Sequence, residues 1–435
     1  MKFDELFLKR EIHRTQPDYI VYVPACGEEF DDHGNEHLHV FRAKDGNLCA
    51  LWTMSRFEGT FTQRPMFSKS RNGGLTWSDP KCLLRDPIDP QTGRNMGSWA
   101  APAVSKSGRI YVFYNKHTGR TRSRQRGALA ILCSDDAGET WSGECLTSVP
   151  RSIYDSPGPD DPPDWVIWQT ANRLSDGTVI FGYTRGWNHP DAPVSPHKVY
   201  PEHPCSCEFF RIDNIDDDPD PSELKLTFLA QNEAGLCAPL HCFDDGRASS
   251  GEEPALCELP DGRLFCVMRT GEGHVWYSVS GDRGTTWRPP EMLRYCDGGE
   301  GIAHPLSPCP MFRVSEAEYV LFTHGHDGFF GQDFPQTSGN WRNPVVLLKG
   351  EFRPDAHQPV WFSRPVEFMN NDDVAIPPRK DLSLYGDMTF EDGEPVLWYP
   401  DRKFFLLGRK IPRSLLAAMT VPASKRSGPA VPKSK

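Results

Sequence analysis

The feature that most constrains this chain is a unit that recurs along it: a hydrophobic strand, a turn containing glycine, and a second hydrophobic strand. It reads HLHVFRAKDGNLCALW from His37 to Trp52, WAAPAVSKSGRIYVFYNKH from Trp99 to His117, and WQTANRLSDGTVIFGYTR from Trp168 to Arg185. It returns as EPALCELPDGRLFCVMRT (Glu253 to Thr270), HPLSPCPMFRVSEAEYVLFTH (His304 to His324) and LYGDMTFEDGEPVLWYP (Leu384 to Pro400). In four copies the turn is Asp-Gly, which favours a hairpin because glycine takes positive φ without steric cost. The copies recur every ~50 to 85 residues, a period that predicts a stacked array in which each unit covers its neighbour's apolar face.

A second pattern follows three of the hairpins. It is SRNGGLTW (Ser70 to Trp77), SDDAGETW (Ser134 to Trp141) and SGDRGTTW (Ser280 to Trp287), with Asn72 standing where the other copies have aspartate. The acid or amide bonds backbone N–H groups, glycine takes the left-handed position, and tryptophan packs beneath. These turns are expected to be structural and to lie on the periphery. With these motifs the chain resembles the Asp-box (BNR-repeat) sialidase-like β-propellers, from about Tyr19 to Arg413. The resemblance implies an all-β fold, a six- or seven-bladed β-propeller of four-stranded antiparallel blades. Six hairpins are countable, and the stretch from Asp191 to Asp245 leaves room for a seventh blade. The expected layout is an N-terminal extension over 1–18, a propeller over 19–420 and a disordered basic tail over 421–435.

Composition agrees with that layout and excludes several functions. The 40 prolines and 37 glycines suit short punctuated strands. The net charge of −11 argues against nucleic acid as partner, while leaving room for a local arginine cluster that holds a carboxylate. The 13 cysteines include no C-x-x-C pair, so no zinc site is expected and the thiols read as reduced core residues. No signal peptide or membrane span is visible, which places the chain in the cytoplasm or on a secretion route that the sequence does not reveal.

The repeat also locates candidate chemistry. Inner strands of a propeller line a central funnel, and they are expected to begin at His37, Trp99, Trp168, Glu253, His304 and Tyr385. The return strands end at the same rim near Arg56, His117, Arg185, Arg269 and His324. Such a ring of polar and aromatic groups is not what a plain core needs. By the resemblance, Arg269 supplies one arginine of a carboxylate-binding cluster. Glu253 and Tyr385 match a pair in which tyrosine is the nucleophile and glutamate its base, help that a phenol of pKa about 10 requires.

Two departures from the sialidase pattern stand out. The first inner strand reads Glu36-His37-Leu38-His39-Val40, without the arginine of the family's R-I-P phrase. The stretch after the first hairpin offers Glu58, Gln63 and Arg64, but no aspartate. With these departures and the His117 phrase, the chain also resembles the L-rhamnose-α-1,4-D-glucuronate lyases, a seven-bladed sialidase-like family that uses histidine as acid/base. That resemblance implies β-elimination from a terminal acidic unit. His117 would be acid and base, Arg269 and Arg185 would bind the carboxylate, and Tyr385 would assist. Arg64, His37, Trp99, Trp168, His304 and His324 are the further substrate-binding candidates, and Trp187 is a further stacking candidate. The alternatives are a retaining sialidase-like hydrolase using Tyr385 and Glu253, and a glycan-binding propeller without catalysis.

No cofactor is expected to be required, although the acidic run Asp213 to Asp220 raises Ca2+; a solvated loop is the preferred reading, since the run lacks the glycine and glutamate of an EF-hand. His324-Gly325-His326-Asp327-Gly328 is likewise read as a turn. The expected partner is an acidic oligosaccharide or polysaccharide, with neither nucleic acid nor membrane, and the chain is expected to be a monomer.

Overall fold

The computed structural model describes residues 5–25, 31–120, 123–158, 160–192, 194, 203–238, 250–330, 342–371, 382 and 384–423. Its strands form six sheets arranged as successive blades, and each of the six hairpins read from the sequence is the inner half of one blade. Blade 1 runs outward through Gly34–Arg42, Leu48–Ser55, Arg64–Ser70 and Lys81–Cys82. Blade 2 uses Gly97–Val104, Ile110–His117, Gly127–Ser134 and Cys145–Thr147. Blade 3 has a broken inner strand, Asp164–Ile167 and Asn172–Arg173, followed by Val179–Gly186, Cys205–Ile212 and Leu226–Leu229. Blade 4 comprises Glu252–Glu258, Leu264–Arg269, Trp276–Ser280 and Glu291–Met292. Blade 5 comprises Met311–Arg313, Glu318–Thr323, Val345–Phe352 and Val360–Phe362, with Val366–Met369 added beside its third strand.

Blade 6 closes the ring with both ends of the chain. Asp387–Glu391, Glu394–Asp401 and Phe405–Lys410 are joined at the outer edge by Tyr19–Tyr22. Tyr19–Tyr22 thereby becomes the outer edge of blade 6, one of the short edges that a propeller leaves. Residues 203–238 supply the third and fourth strands of blade 3, so this part of the long stretch forms no seventh blade. Residues 195–202 and 239–249, the rest of that stretch's middle, lie outside the described residues, as does the tail beyond residue 423.

The second strand of each blade is sandwiched on both faces by neighbouring blades. Leu48–Ser55 and Ile110–His117 are buried at every position, which explains their near-continuous apolar runs. The core therefore lies between blades. One cluster joins Leu38, Val40 and Trp52 of blade 1 to Val396, Trp398 and Leu406 of blade 6, and another joins Phe113 of blade 2 to Phe181 and Phe210 of blade 3. The N-terminal extension is folded: helix Glu5–Ile12 buries Leu8 and Ile12 against blades 5 and 6. Its Glu11 receives Arg402 Nη1 at 2.9 Å, tying the helix to the blade 6 turn Arg402–Lys403.

The three Asp-boxes share one hydrogen-bond scheme. The serine hydroxyl bonds the acid or amide and accepts the glycine N–H, as in Gly138 N to Ser134 Oγ at 2.9 Å. The acid or amide oxygen accepts the threonine N–H: Thr140 to Asp136 at 2.8 Å, Thr286 to Asp282 at 2.8 Å, Thr76 to Asn72 at 2.9 Å. In each box the tryptophan packs on the preceding blade: Trp77 on Trp398, Trp141 on Phe67, and Trp287 on Phe209. The boxes thus bind blade to blade on the side away from the funnel. The acidic run after Asp213 occupies the corresponding place in blade 3. Its carboxylates are engaged by protein groups, Asp213 by Arg211 and Thr227, and Asp216 by Arg173 and Lys106.

Candidate functional site

The funnel is built by one device repeated around the ring. In blades 1, 2 and 4 the inner strand is bulged near its start, with register shifts between Glu36 and His39, Ser98 and Ala101, and Glu252 and Ala255. At each bulge one residue is left-handed: His37 (φ 56), Trp99 (φ 55) and Glu253 (φ 50). Such conformations are costly for non-glycine residues and are held here by neighbours, since Thr53 Oγ1 accepts the Trp99 N–H at 2.9 Å and Thr184 Oγ1 accepts the Glu253 N–H at 2.7 Å. The bulge turns the side chain toward the axis. Together with Val166, Leu306 and Tyr385 from the other three blades, these residues line a cavity of about 320 Å³, a size that suits one sugar unit.

At the cavity floor Tyr385, Glu253 and Arg269 form a hydrogen-bonded triangle. The Tyr385 hydroxyl donates to Glu253 Oε1 at 2.9 Å. Arg269 Nη1 donates to that same oxygen at 2.9 Å and to the Tyr385 oxygen at 3.2 Å. The other oxygen, Glu253 Oε2, is buried with no hydrogen-bond partner among the described residues. Burial first, then the Glu253 charge, pushes the Tyr385 phenol up to about 12 against the opposing pull of Arg269, Lys403 and Arg342. A tyrosine in this setting is neutral at physiological pH and has a base already in contact with its proton.

Cations converge above this triangle. Arg269, Arg342, Arg124 and Lys403 all line the cavity, facing the carboxylates of Glu36, Glu58, Glu252 and Glu253. The Lys403 ammonium lies 4.9 Å from the Tyr385 ring centre, and Arg342 lies 5.9 Å from it. Lys403 Nζ is paired with Glu58 Oε1 at 2.5 Å and with Glu36 Oε2 at 3.2 Å. Burial opposes its charge, yet the neighbouring carboxylates prevail and hold the ammonium above its ordinary range. The His37 ring lies against that of Tyr385, with centres 4.3 Å apart and planes inclined at 48°. Burial, then His39 and Lys403, keep its imidazole well below the usual histidine range, so it sits in the cavity uncharged.

Of the residues expected from the sequence, the structure brings Tyr385, Glu253, Arg269, His37 and Trp99 together in this cavity and leaves the others elsewhere. His117 is buried beside Phe61, its Nδ1 accepting the Gly119 N–H at 3.1 Å and its Nε2 facing the Ser123 carbonyl at 3.1 Å. Both ring nitrogens are thus engaged by a loop, and His117, expected as the elimination base, does not line this cavity. Arg185 is fully buried in an ion cluster with Glu208 (3.2 Å) and Asp155 (3.4 Å), so no carboxylate of a substrate reaches it. Arg64 points to the Thr62 and Asp31 carbonyls and lines a different, outer cavity.

Trp168 is buried below the floor, because the break in the blade 3 inner strand shifts the register and hands the cavity position to Val166. His304 and His324 are buried behind the wall, stacked 5.7 Å apart and bonded on either side of Ser307. Trp187 stacks on Tyr154 at 3.6 Å, and Arg56 lies near Asp31, neither lining the cavity.

Lys403, Arg342 and Arg124 also line the cavity and are not among the residues expected from the sequence. Lys403 was within reach of the repeat rule: the sixth return strand ends at Asp401, and Lys403 follows two residues later, near the rim position that Arg269 occupies at the end of the fourth. Arg342 and Arg124 come from loops between second and third strands, which the repeat does not align.

No family model matches the chain, and no curated protein matches it. Among solved structures it is similar to a Hadza microbial sialidase (13% identity, TM-score 0.58), covering 88% of this chain and 66% of that longer one. It is similar to the intramolecular trans-sialidase from Ruminococcus gnavus in complex with oseltamivir carboxylate (14% identity, TM-score 0.58), over 91% of this chain and 98% of that one. A protein of unknown function from Dyadobacter fermentans matches over 91% of this chain and 97% of its own, at 12% identity and a TM-score of 0.59. At these identities what is shared is the fold: over its described residues the chain is a six-bladed β-propeller, the fold it has in common with those structures.

Proposed function

We propose that this protein is a retaining exo-glycosidase that hydrolyses a terminal sugar acid, with Tyr385 as nucleophile and Glu253 as its base. The observation that carries the reading is the Tyr385–Glu253–Arg269 triangle at the floor of a cation-lined funnel. The Tyr385 oxygen attacks the anomeric carbon while its proton passes to Glu253. The bond to the leaving oxygen breaks, and that oxygen takes a proton from an acid. Glu58 fills this role once the substrate carboxylate has taken over Lys403 and Glu58 has drawn a proton from solvent: it lies at the cavity's mouth, with its side chain 32% exposed. Water then attacks the glycosyl-tyrosine, Glu58 taking its proton, and Tyr385 recovers its own. Arg269, Arg342 and Lys403 hold the substrate carboxylate, with Lys403 providing the charge that His37 does not. The likeness in fold to sialidases and a trans-sialidase supports hydrolysis over elimination. The cavity contains no expected elimination base, since His117 is held elsewhere.

The test is release of 4-methylumbelliferone from its N-acetylneuraminic acid glycoside, run beside gum arabic oligosaccharides monitored for ultraviolet absorbance of an unsaturated uronate. Tyr385→Phe and Glu253→Gln are expected to lower kcat by about 10²–10⁴-fold. A rise in uronate absorbance without fluorophore release would overturn hydrolysis in favour of elimination.

A further inference from the structure

The inner strand of blade 3 is interrupted between Ile167 and Asn172, and the interrupting peptide reaches across the propeller axis. Its contacts fall on blades 4, 6 and 1. The Trp168 indole N–H donates to the Pro254 carbonyl at 3.1 Å, one residue from Glu253. The Trp168 ring meets the Tyr385 ring edge-on, with centres 6.1 Å apart and an interplanar angle of 81°. Gln169 Oε1 accepts the Leu256 N–H at 3.1 Å, further along the strand that carries Glu253. Thr170 donates its hydroxyl proton to Asp387, two residues from Tyr385 on the chain. Since that hydroxyl has one proton, its 2.8 Å contact with His39 Nδ1 has the imidazole as donor. His39 lies on blade 1, two residues from His37.

Tyr385 and Glu253 come from different blades, 132 residues apart in sequence, and their 2.9 Å contact depends on how those blades are held. The blades' own ladders do not join them directly. One four-residue peptide does, gripping both strands from beneath and separating the funnel from a second cavity of about 240 Å³ on the other side. We propose that Trp168–Ala171 is a positioning crosspiece that sets the Tyr385–Glu253 contact, with Trp168 and Thr170 as positioning residues. This rests on the reading of Tyr385 and Glu253 as nucleophile and base. It assigns the broken strand a task that spans three other blades.

The experiment compares Trp168→Phe, which keeps an aromatic ring but loses the N–H and the indole's second ring, with Thr170→Val, which keeps the shape and loses the hydroxyl, and with Thr170→Ser, which keeps the hydroxyl. On the methylumbelliferyl sialoside, the first two are expected to lower kcat on the order of tenfold or more with KM within twofold of the unaltered protein, because small displacements of reacting groups are costly. Thr170→Ser is expected to retain most of the activity. Crystal structures of the first two variants give a readout that needs no substrate: the Tyr385–Glu253 separation should exceed hydrogen-bond range. An unchanged separation in both variants would overturn the proposal. Inactivity of the unaltered protein would instead sink the nucleophile assignment while leaving the crosspiece to be judged by those distances.

Discussion

The polar residues that do not reach the funnel still shape the protein's behaviour. His304 is fully buried, with one nitrogen on the Ser307 carbonyl at 2.7 Å and the other buried without a hydrogen-bond partner among the described residues. Burial, reinforced by His326, Arg269 and Arg342, lowers its pKa to about 3 against the opposing Ser307 bond. His324 and His37 are also held well below the ordinary range, chiefly by burial. An unfolded chain protonates these imidazoles near pH 6.5, whereas the folded one does not. Their contribution to stability is therefore complete above about pH 6.5 and is lost as the pH falls below it. Unfolding free energy is expected to decline between pH 6.5 and 5, with His304→Gln reducing the slope by about 1.4 kcal/mol per pH unit, one proton's worth. Denaturant titrations at several pH values measure this, and an unchanged slope in the variant would show that His304 is not among the groups responsible.

Among the elements, the Asp-boxes are where sequence and structure agree most closely. Their chemistry is local, with every partner within a few residues, so the motif alone dictates the turn. What the motif does not reveal is that each box grips the neighbouring blade. Gly138 shows the constraint: its φ is 88°, and a Cβ there would lie 2.1 Å from Phe67 Cζ of blade 1. Gly138→Ala is expected to cost about 2–4 kcal/mol, combining left-handed strain with overpacking, as read by thermal unfolding. The inner strands were less legible. Counting eight residues back from the turn found His37, Trp99 and Glu253 because all three sit on equivalent bulges. It failed at Trp168, where the crosspiece changes the spacing, and at His304, where Leu306 takes the cavity position. Arg185 and His117 occupy the ends of return strands like Arg269 does, but internal carboxylates and loop carbonyls claim them, a competition that pattern alone does not disclose.

For the whole molecule, the repeat fixed an all-β propeller, and the structure's six sheets decide the blade count. The ring is held shut by Tyr19–Tyr22, with Tyr19 paired to Gly408 and Ile20 to Leu407. Tyr19 and Val21 also join the core between blades 6 and 1. A chain beginning at residue 24 is expected to lose its cooperative melting transition and near-ultraviolet circular dichroism, whereas one beginning at residue 17 keeps the closing strand and should retain both. Equal behaviour of the two truncations would show that this strand does not secure the ring.

That closing strand has a consequence for synthesis. Of the propeller's described strands, the first to leave the ribosome belongs to the last blade, and its partner at Leu406–Gly408 emerges almost 400 residues later. At 5–20 residues per second, the gap is roughly 20 to 80 s. Throughout that interval the nascent chain carries an unpaired strand bearing Tyr19 and Val21, whose partners have not yet been translated. Blades 1 to 5 can form in order behind it, but the ring stays an open arc until Leu406–Gly408 has been made, and a holding chaperone would find its natural target at the waiting strand.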